Sequence, residues 1–169
     1  MANRRLMLLC AVCFLMIGID QWTKSWAIAH LKDTPTTHLL GGSVLLLYAE
    51  NSGAWGSMGS GLNNSLRFWL LTVLPFIFLG GISWYTVTSK ELKPYMVWCY
   101  SLVIAGGVGN LIDRAIYGYV VDFLWVGIPN GIGTNIFNVA DVSIMIGVIT
   151  LLVMHFTVER KALPDPVQS

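Results

Sequence analysis

Four stretches of the chain carry almost no charge, and each is long enough to cross a bilayer. Leu6 to Ile19 contains no charged residue, and its apolar pattern runs on through Trp26 despite Asp20 and Lys24. Phe68 to Ser89 and Pro94 to Ile112 are uncharged, and Ile136 to Val158 is interrupted only by Asp141. A spanning helix needs about 20 apolar residues. The pattern therefore predicts helices over about 6–29, 68–89, 94–115 and 136–158. Arg4 and Arg5 precede the first run as they would in a secretory signal. Its apolar core is too long for one and no clean small-residue cleavage site follows, so a permanent helix is expected.

The segments between the runs have patterns of their own. Val44 to Tyr48 is short, apolar and preceded by Gly41 and Gly42, which predicts a strand. Residues 51–61 are rich in Gly, Ser and Asn and include Trp55 and Met58, as in a loop lying on the bilayer surface. Gly127, Pro129, Gly131 and Gly133 predict a flexible turn. The tail over 162–169, with Pro164 and Pro166, is expected to be disordered. There is no internal repeat, and residues 1–169 are read as one integral membrane domain.

Basic residues give the spans a direction. Arg4, Arg5, Lys90, Lys93, Arg160 and Lys161 fall at one set of ends, and Lys24, Lys32, Arg67 and Arg114 at the other. The heavier set marks the cytoplasmic side, so both termini are expected there and residues 30–67 and 115–135 outside. Composition agrees with a membrane protein. Of the 169 residues 55% are hydrophobic and 11% charged, against about 25% charged in soluble domains. A net charge of +1 offers nothing to a phosphate backbone, so nucleic acid is excluded as a partner. Cys10, Cys13 and Cys99 are too few for a disulfide framework. The seven Trp suit interfacial belts.

Most hydrolytic chemistries lack their residues. His30, His38 and His155 are scattered, no H-E-x-x-H occurs, and no metal site is expected. The serine elbow G-x-S-x-G is missing. Gly106, Gly107 and Gly109 are read as points of close helix approach rather than a phosphate loop. Carboxylates remain. Asp122 follows the third span and Asp141 lies in the first turns of the fourth, with a reverse turn between. Two carboxyls brought close share a proton, so one can activate water while the other donates to a carbonyl. Asn110, Asp113 and Arg114 share a helix face, as do Asn138 and Asp141. Asp20 and Lys24, four apart, read as a structural ion pair, whereas Asp113 beside Arg114 stands open between support and catalysis.

These residues fall in five ordered blocks. They are Asp20-Gln21-Trp22-Thr23-Lys24, Asn51-Ser52-Gly53-Ala54-Trp55, Gly106-Gly107-Val108-Gly109-Asn110-Leu111-Ile112-Asp113-Arg114, Val120-Val121-Asp122-Phe123 and Phe137-Asn138-Val139-Ala140-Asp141. In this order, on a four-span plan, the chain resembles the lipoprotein signal peptidases, or signal peptidase II. Many members read N-x-G-A-A-[FW] in the second block, whereas here Gly53-Ala54 is followed by Trp55-Gly56.

The resemblance implies an all-α membrane protein, a four-helix bundle with a small periplasmic β-cradle and an interfacial loop over about 33–66. It implies an aspartic endopeptidase of the bacterial inner membrane that cuts diacylglyceryl-modified prolipoproteins just before the lipid-bearing cysteine. Asp122 and Asp141 then match the catalytic pair. Asn51, Gly53, Asn110, Asp113, Arg114, Asn138 and Ala140 match supporting or substrate-binding positions, and Asp20 and Lys24 a buried pair. No cofactor is implied. Membrane lipids and globomycin-type inhibitors are implied as partners, and nothing demands more than a monomer. Trp55 and Met58 are expected to touch the substrate's lipid. Two other classes fit the same residues: a small proton-coupled transporter, and a non-catalytic assembly factor using Asp and Arg for helix contacts.

Overall fold

A computed structural model of the chain describes residues 2–54, 58–59, 61–129 and 131–159, the last two without their side chains. Trp55 and the 162–169 tail therefore lie outside the described residues. Four helices are long and apolar enough to cross a membrane. Helix α1 is Ala2–Leu31. Helix α2 runs Asn64–Thr88 and contains a π-helical stretch at Trp69–Val73. Helix α3 is Pro94–Tyr117, and α4 is Val139–Met154, continued by a π-helical turn at His155–Glu159.

The ends of these helices follow from local chemistry. The Asn63 side chain caps α2 by accepting from Leu66 N at 2.8 Å. Pro94 opens α3, where its missing N–H costs nothing. Gly118 closes α3 in the left-handed conformation at φ 80°, its N–H bonded to Arg114 O. Asn138 and Asp141 form a reciprocal capping box that starts α4 at Val139, three residues after the predicted Ile136.

A three-stranded antiparallel sheet, in the order β1-β2-β3, lies between these helices in sequence. Strands β1 (Thr37–Leu39) and β2 (Val44–Asn51) form one pair. Strand β3, Val120–Val126, follows α3 directly, in a stretch for which the sequence pattern predicts no element, and ends where the expected glycine-rich turn begins. Its first four residues are buried, so no polar face alternates with an apolar one. Without that period-2 signal, a strand of this kind is hard to see in sequence. Ala49 pairs with Asp122 and Asn51 with Val120, after a register irregularity between Leu46 and Ala49. The chain then folds back over 127–133, and Phe137 pairs with Leu124. Phe137 N donates to Leu124 O at 2.9 Å, and Leu124 N to Phe137 O at 3.0 Å. This zip delivers the start of α4 to the side of β3 that carries Asp122.

Helix α3 is central and packs on α1, α2 and α4. Its glycines permit this. A methyl group on Gly106 would run into the Ala140 carbonyl oxygen and the Ile144 side chain. One on Gly109 would sit 2.7 Å from Asp20 Oδ2. On α4, a methyl group added at Gly147 would sit equally close to Cys99 O. Elsewhere the helices expose large apolar side chains such as Phe14, Trp22, Phe76 and Trp84, the surface that a lipid solvent accepts.

The contrast between buried and open glycines is testable. Gly106→Ala should destabilise the protein by about 1–3 kcal/mol, because backbone must shift. Gly80→Ala, with nothing near the new methyl, should be neutral or slightly stabilising. Melting of both variants in one detergent checks the pair; equal melting points would contradict the packing described.

Candidate active site

At the sheet end of the bundle lies a layer of buried polar side chains, and Lys24 is at its centre. Its Nζ is 2.9 Å from Asp20 Oδ2 and 2.9 Å from Asp113 Oδ2, and it donates to Asn110 Oδ1 at 3.0 Å. Lys24, Asp20 and Asp113 are each at most 2% exposed. An ammonium group has three N–H bonds to give, and here each has an oxygen.

The two carboxylates beside Lys24 carry further bonds that matter more. Asp113 Oδ2 accepts from Val121 N at 3.0 Å, the backbone immediately before Asp122. Asp20 Oδ1 accepts from Ala140 N at 2.8 Å, the backbone immediately before Asp141. A single lysine thus ties together the anchors of both segments that hold the candidate pair.

Asp122 and Asp141 are themselves met by amides. Asn138 Nδ2 donates to Asp122 Oδ1 at 2.6 Å, and Asn51 Nδ2 donates to Oδ2 at 2.9 Å. Asn110 Nδ2 donates to Asp141 Oδ1 at 2.8 Å, and Asn138 N to Oδ2 at 3.2 Å. Asp141 N in turn donates to Asn138 Oδ1 at 2.9 Å. Asn138 therefore touches both carboxyls. Burial pushes the Asp122 carboxyl up to about 6; the Asn51 and Asn138 amides pull it back, and the Asp141 charge adds to the rise.

Arg114 contacts neither carboxyl by hydrogen bond. Its Nη2 donates to Gly53 O at 2.9 Å and its Nη1 to Asn110 O at 3.4 Å. Gly53 N donates to Asn51 Oδ1 at 3.0 Å, so Arg114 braces the loop that presents Asn51. The expected site residues Asn51, Gly53, Asn110, Asp113, Arg114, Asn138, Ala140, Asp20, Lys24, Asp122 and Asp141 meet in this one layer. Met58 is exposed.

Gln21 was not foreseen. Its amide donates to Asp113 Oδ1 at 2.9 Å and to Gly109 O and Asp20 Oδ2, each at 3.2 Å. The available signal was its position three residues before Lys24, on the same helix face. Chemically, the arrangement is a pair of carboxyls, Asp122 buried and Asp141 partly buried, in neutral amide surroundings and linked by one asparagine. Such a pair can hold one proton and exchange it with a substrate.

Comparison with known proteins places the chain in a family. The family described as signal peptidase (SPase) II matches residues 12–157. A lipoprotein signal peptidase of Streptococcus thermophilus (strain CNRZ 1066) is 34% identical over 145 residues, covering 86% of this chain and 90% of that protein. One from Chlorobium phaeobacteroides (strain BS1) is 37% identical over 161 residues, covering 89% and 96%. One from Clostridioides difficile (strain 630) is 32% identical over 156 residues, covering 92% and 99%. A solved structure described as a bacterial membrane enzyme superposes with a TM-score of 0.77 at 26% identity, covering 95% of this chain and 94% of that one. With four apolar spans and a small sheet around a buried carboxyl layer, the chain belongs to the signal peptidase II family and is a multi-pass membrane protease.

Proposed function

We propose that the chain removes the signal peptide from diacylglyceryl-modified prolipoproteins, cutting just before the lipid-bearing cysteine, with Asp122 and Asp141 as the catalytic pair. The observation that carries this reading is Asn138, which bonds Asp122 through its side chain and Asp141 through its backbone. One residue thereby fixes the two carboxyls relative to each other, as proton exchange across a substrate requires.

The surroundings support a division of labour. Asp141 is the third residue of α4, and its carboxyl closes the capping box by accepting from Asn138 N. Asp122, on a strand and desolvated, holds its proton to about pH 6. In this reading Asp141 takes a proton from water as the water oxygen adds to the scissile carbonyl carbon. Asp122 gives its proton to the carbonyl oxygen, which leaves a neutral tetrahedral diol. On collapse the C–N bond breaks. Asp141 passes its proton to the departing nitrogen, and Asp122 recovers one from the diol. The substrate enters sideways from the bilayer, and its acyl chains stay in lipid. The basic residues support cytoplasmic termini and a site near the periplasmic face of a bacterial inner membrane. A globomycin-type peptide would compete for the same carboxyls, and one chain suffices for the chemistry.

Cleavage of a purified diacylglyceryl prolipoprotein in detergent tests the assignment. Asp122→Asn and Asp141→Asn should each lower kcat by about 10³-fold or more while remaining folded. Retained cleavage in either folded variant would remove that residue from the reaction.

Stability gives a second test. The ordinary Asp pKa is 3.8, and Asp122 is raised to about 6 in the fold. Between these values the native state keeps a proton that the unfolded chain has lost. Stability therefore falls as pH rises through that window and stays lower above it. Asp122→Asn removes this cost, on the order of 3 kcal/mol for a shift of about two units. Relative to wild type, the variant's melting temperature should be higher at pH 8 than at pH 4, on top of a pH-independent cost from turning one accepting oxygen into an amide NH2 facing Asn51 or Asn138. A constant difference at both pH values would contradict the assignment.

Lys24→Met separates positioning from binding. Leaving Asp20 and Asp113 without their cation should cost about 3–5 kcal/mol. At temperatures where it is still folded, kcat should fall with KM nearly unchanged. A selective rise in KM would indicate that Lys24 touches substrate.

A further inference from the structure

Beside the carboxyl layer, where α2 begins and α3 ends, lies a cavity of about 200 Å³ that also borders Ser52 in the Asn51 loop. Asn64, Arg67, Phe68, Leu71 and Thr72 line one wall and Arg114 is on the other. The α2 positions recur at helical spacing, so one helix face forms that wall. Asn64 and Arg67 lie in its first turn, with Leu71 and Thr72 one turn deeper.

The two arginines differ in how they are neutralised. Arg114 lies within electrostatic reach of Asp141, Asp122 and Asp113. Among the described residues no carboxylate pairs with Arg67. Its one described hydrogen bond is to a neutral amide oxygen, Asn64 Oδ1, at 2.7 Å. A guanidinium has five N–H donors in a planar fork that fits a phosphate. Arg67 thus brings an unneutralised cation, with donors to spare, to a cavity that also has the Thr72 hydroxyl. The apolar part of the same wall, Phe68 and Leu71, continues along a helix whose outward residues Trp69, Leu70 and Leu74 are exposed to lipid. Cation at the rim and apolar surface below are the chemistry of an amphiphile with an anionic head.

We propose that this cavity binds the phosphodiester head of an anionic phospholipid through Arg67, with the acyl chains running down α2. A lipid held there would lie against Arg114, which braces the Gly53 carbonyl and with it the Asn51 loop. Occupancy is therefore expected to stabilise that loop. The site is separate from the carboxyl pair, so its test reads binding rather than peptide cleavage.

The full-length protein in phosphatidylcholine nanodiscs would be melted with increasing phosphatidylglycerol. Matched arms would add inorganic phosphate or glycerol 1-phosphate to pure phosphatidylcholine discs. Wild type should gain melting temperature with phosphatidylglycerol and not with the soluble phosphates. Arg67→Gln should melt as wild type does in pure phosphatidylcholine and weaken the phosphatidylglycerol response about tenfold, the loss of one charge-assisted bond. Arg67→Lys, which keeps the charge but loses the fork, should retain part of it. The proposal is overturned if wild type shows no response, or if Arg67→Gln keeps the full response. It is also overturned if soluble phosphate reproduces the effect, since the ligand would then not be a lipid.

Discussion

The arrangement of this protein depends on one buried ammonium group. Removing a charge from water costs several kcal/mol even after the protein relaxes, and near the membrane the cost must be met locally. Lys24 is compensated by Asp20, Asp113 and Asn110, all within 3.0 Å. These partners are not a closed cluster. Through Val121 N and Ala140 N the two carboxylates reach the backbone before Asp122 and before Asp141. Helices α1, α3 and α4 and strand β3 are thereby locked by one set of charges. None of these elements can slide without exposing an unpaired charge, which makes the spacing of the proposed catalytic pair stiff.

Close helix approach makes this network possible. Asp20 can reach Ala140 N because Gly109 leaves room for its carboxylate and Gly106 lets α4 lie against α3. Along the rest of their length the helices present apolar side chains outward. Packing against lipid supplies no hydrophobic force between helices. Small residues and the polar layer together therefore carry much of the specificity of association.

The parts of the fold that were legible in the sequence are those that the bilayer imposes. Charge-free runs had to be helices, because backbone polar groups in lipid must be satisfied within the segment. Val44 to Tyr48 was legible as a strand from its glycine boundary and apolar run, although β2 continues to Asn51. Strand β3 was not legible. Val120 to Phe123 is buried, and its pairing partners lie some seventy residues earlier, at Ala49 to Asn51. Asp122 and Asp141 stood out because carboxylates are costly near the membrane. Gln21 did not, because an uncharged amide beside an Asp is unremarkable until the helix opposite is known. The shared tether through Lys24 was also hidden: spacing suggested an Asp20–Lys24 pair but could not reveal the backbone bonds at Val121 and Ala140.

The polar layer also keeps its two cations out of direct hydrogen bonding with the proposed catalytic pair. A carboxyl bonded directly to Lys or Arg is held ionised, and two such carboxyls could not keep a shared proton near neutral pH. Here the hydrogen-bonding groups on Asp122 and Asp141 are the amides of Asn51, Asn110 and Asn138. Lys24 is bonded to the other two aspartates, and Arg114 to the carbonyls of Gly53 and Asn110. Four carboxylates stand against two cations in this layer, and the charge of Asp141 is one of the causes that raise the Asp122 carboxyl, after its burial. Amides orient the acids without the full neutralising charge that a bonded Lys or Arg would bring. The division between cations that hold the frame and amides that hold the acids is the one the proposed reaction needs, since it fixes the carboxyls without pairing them with a charge.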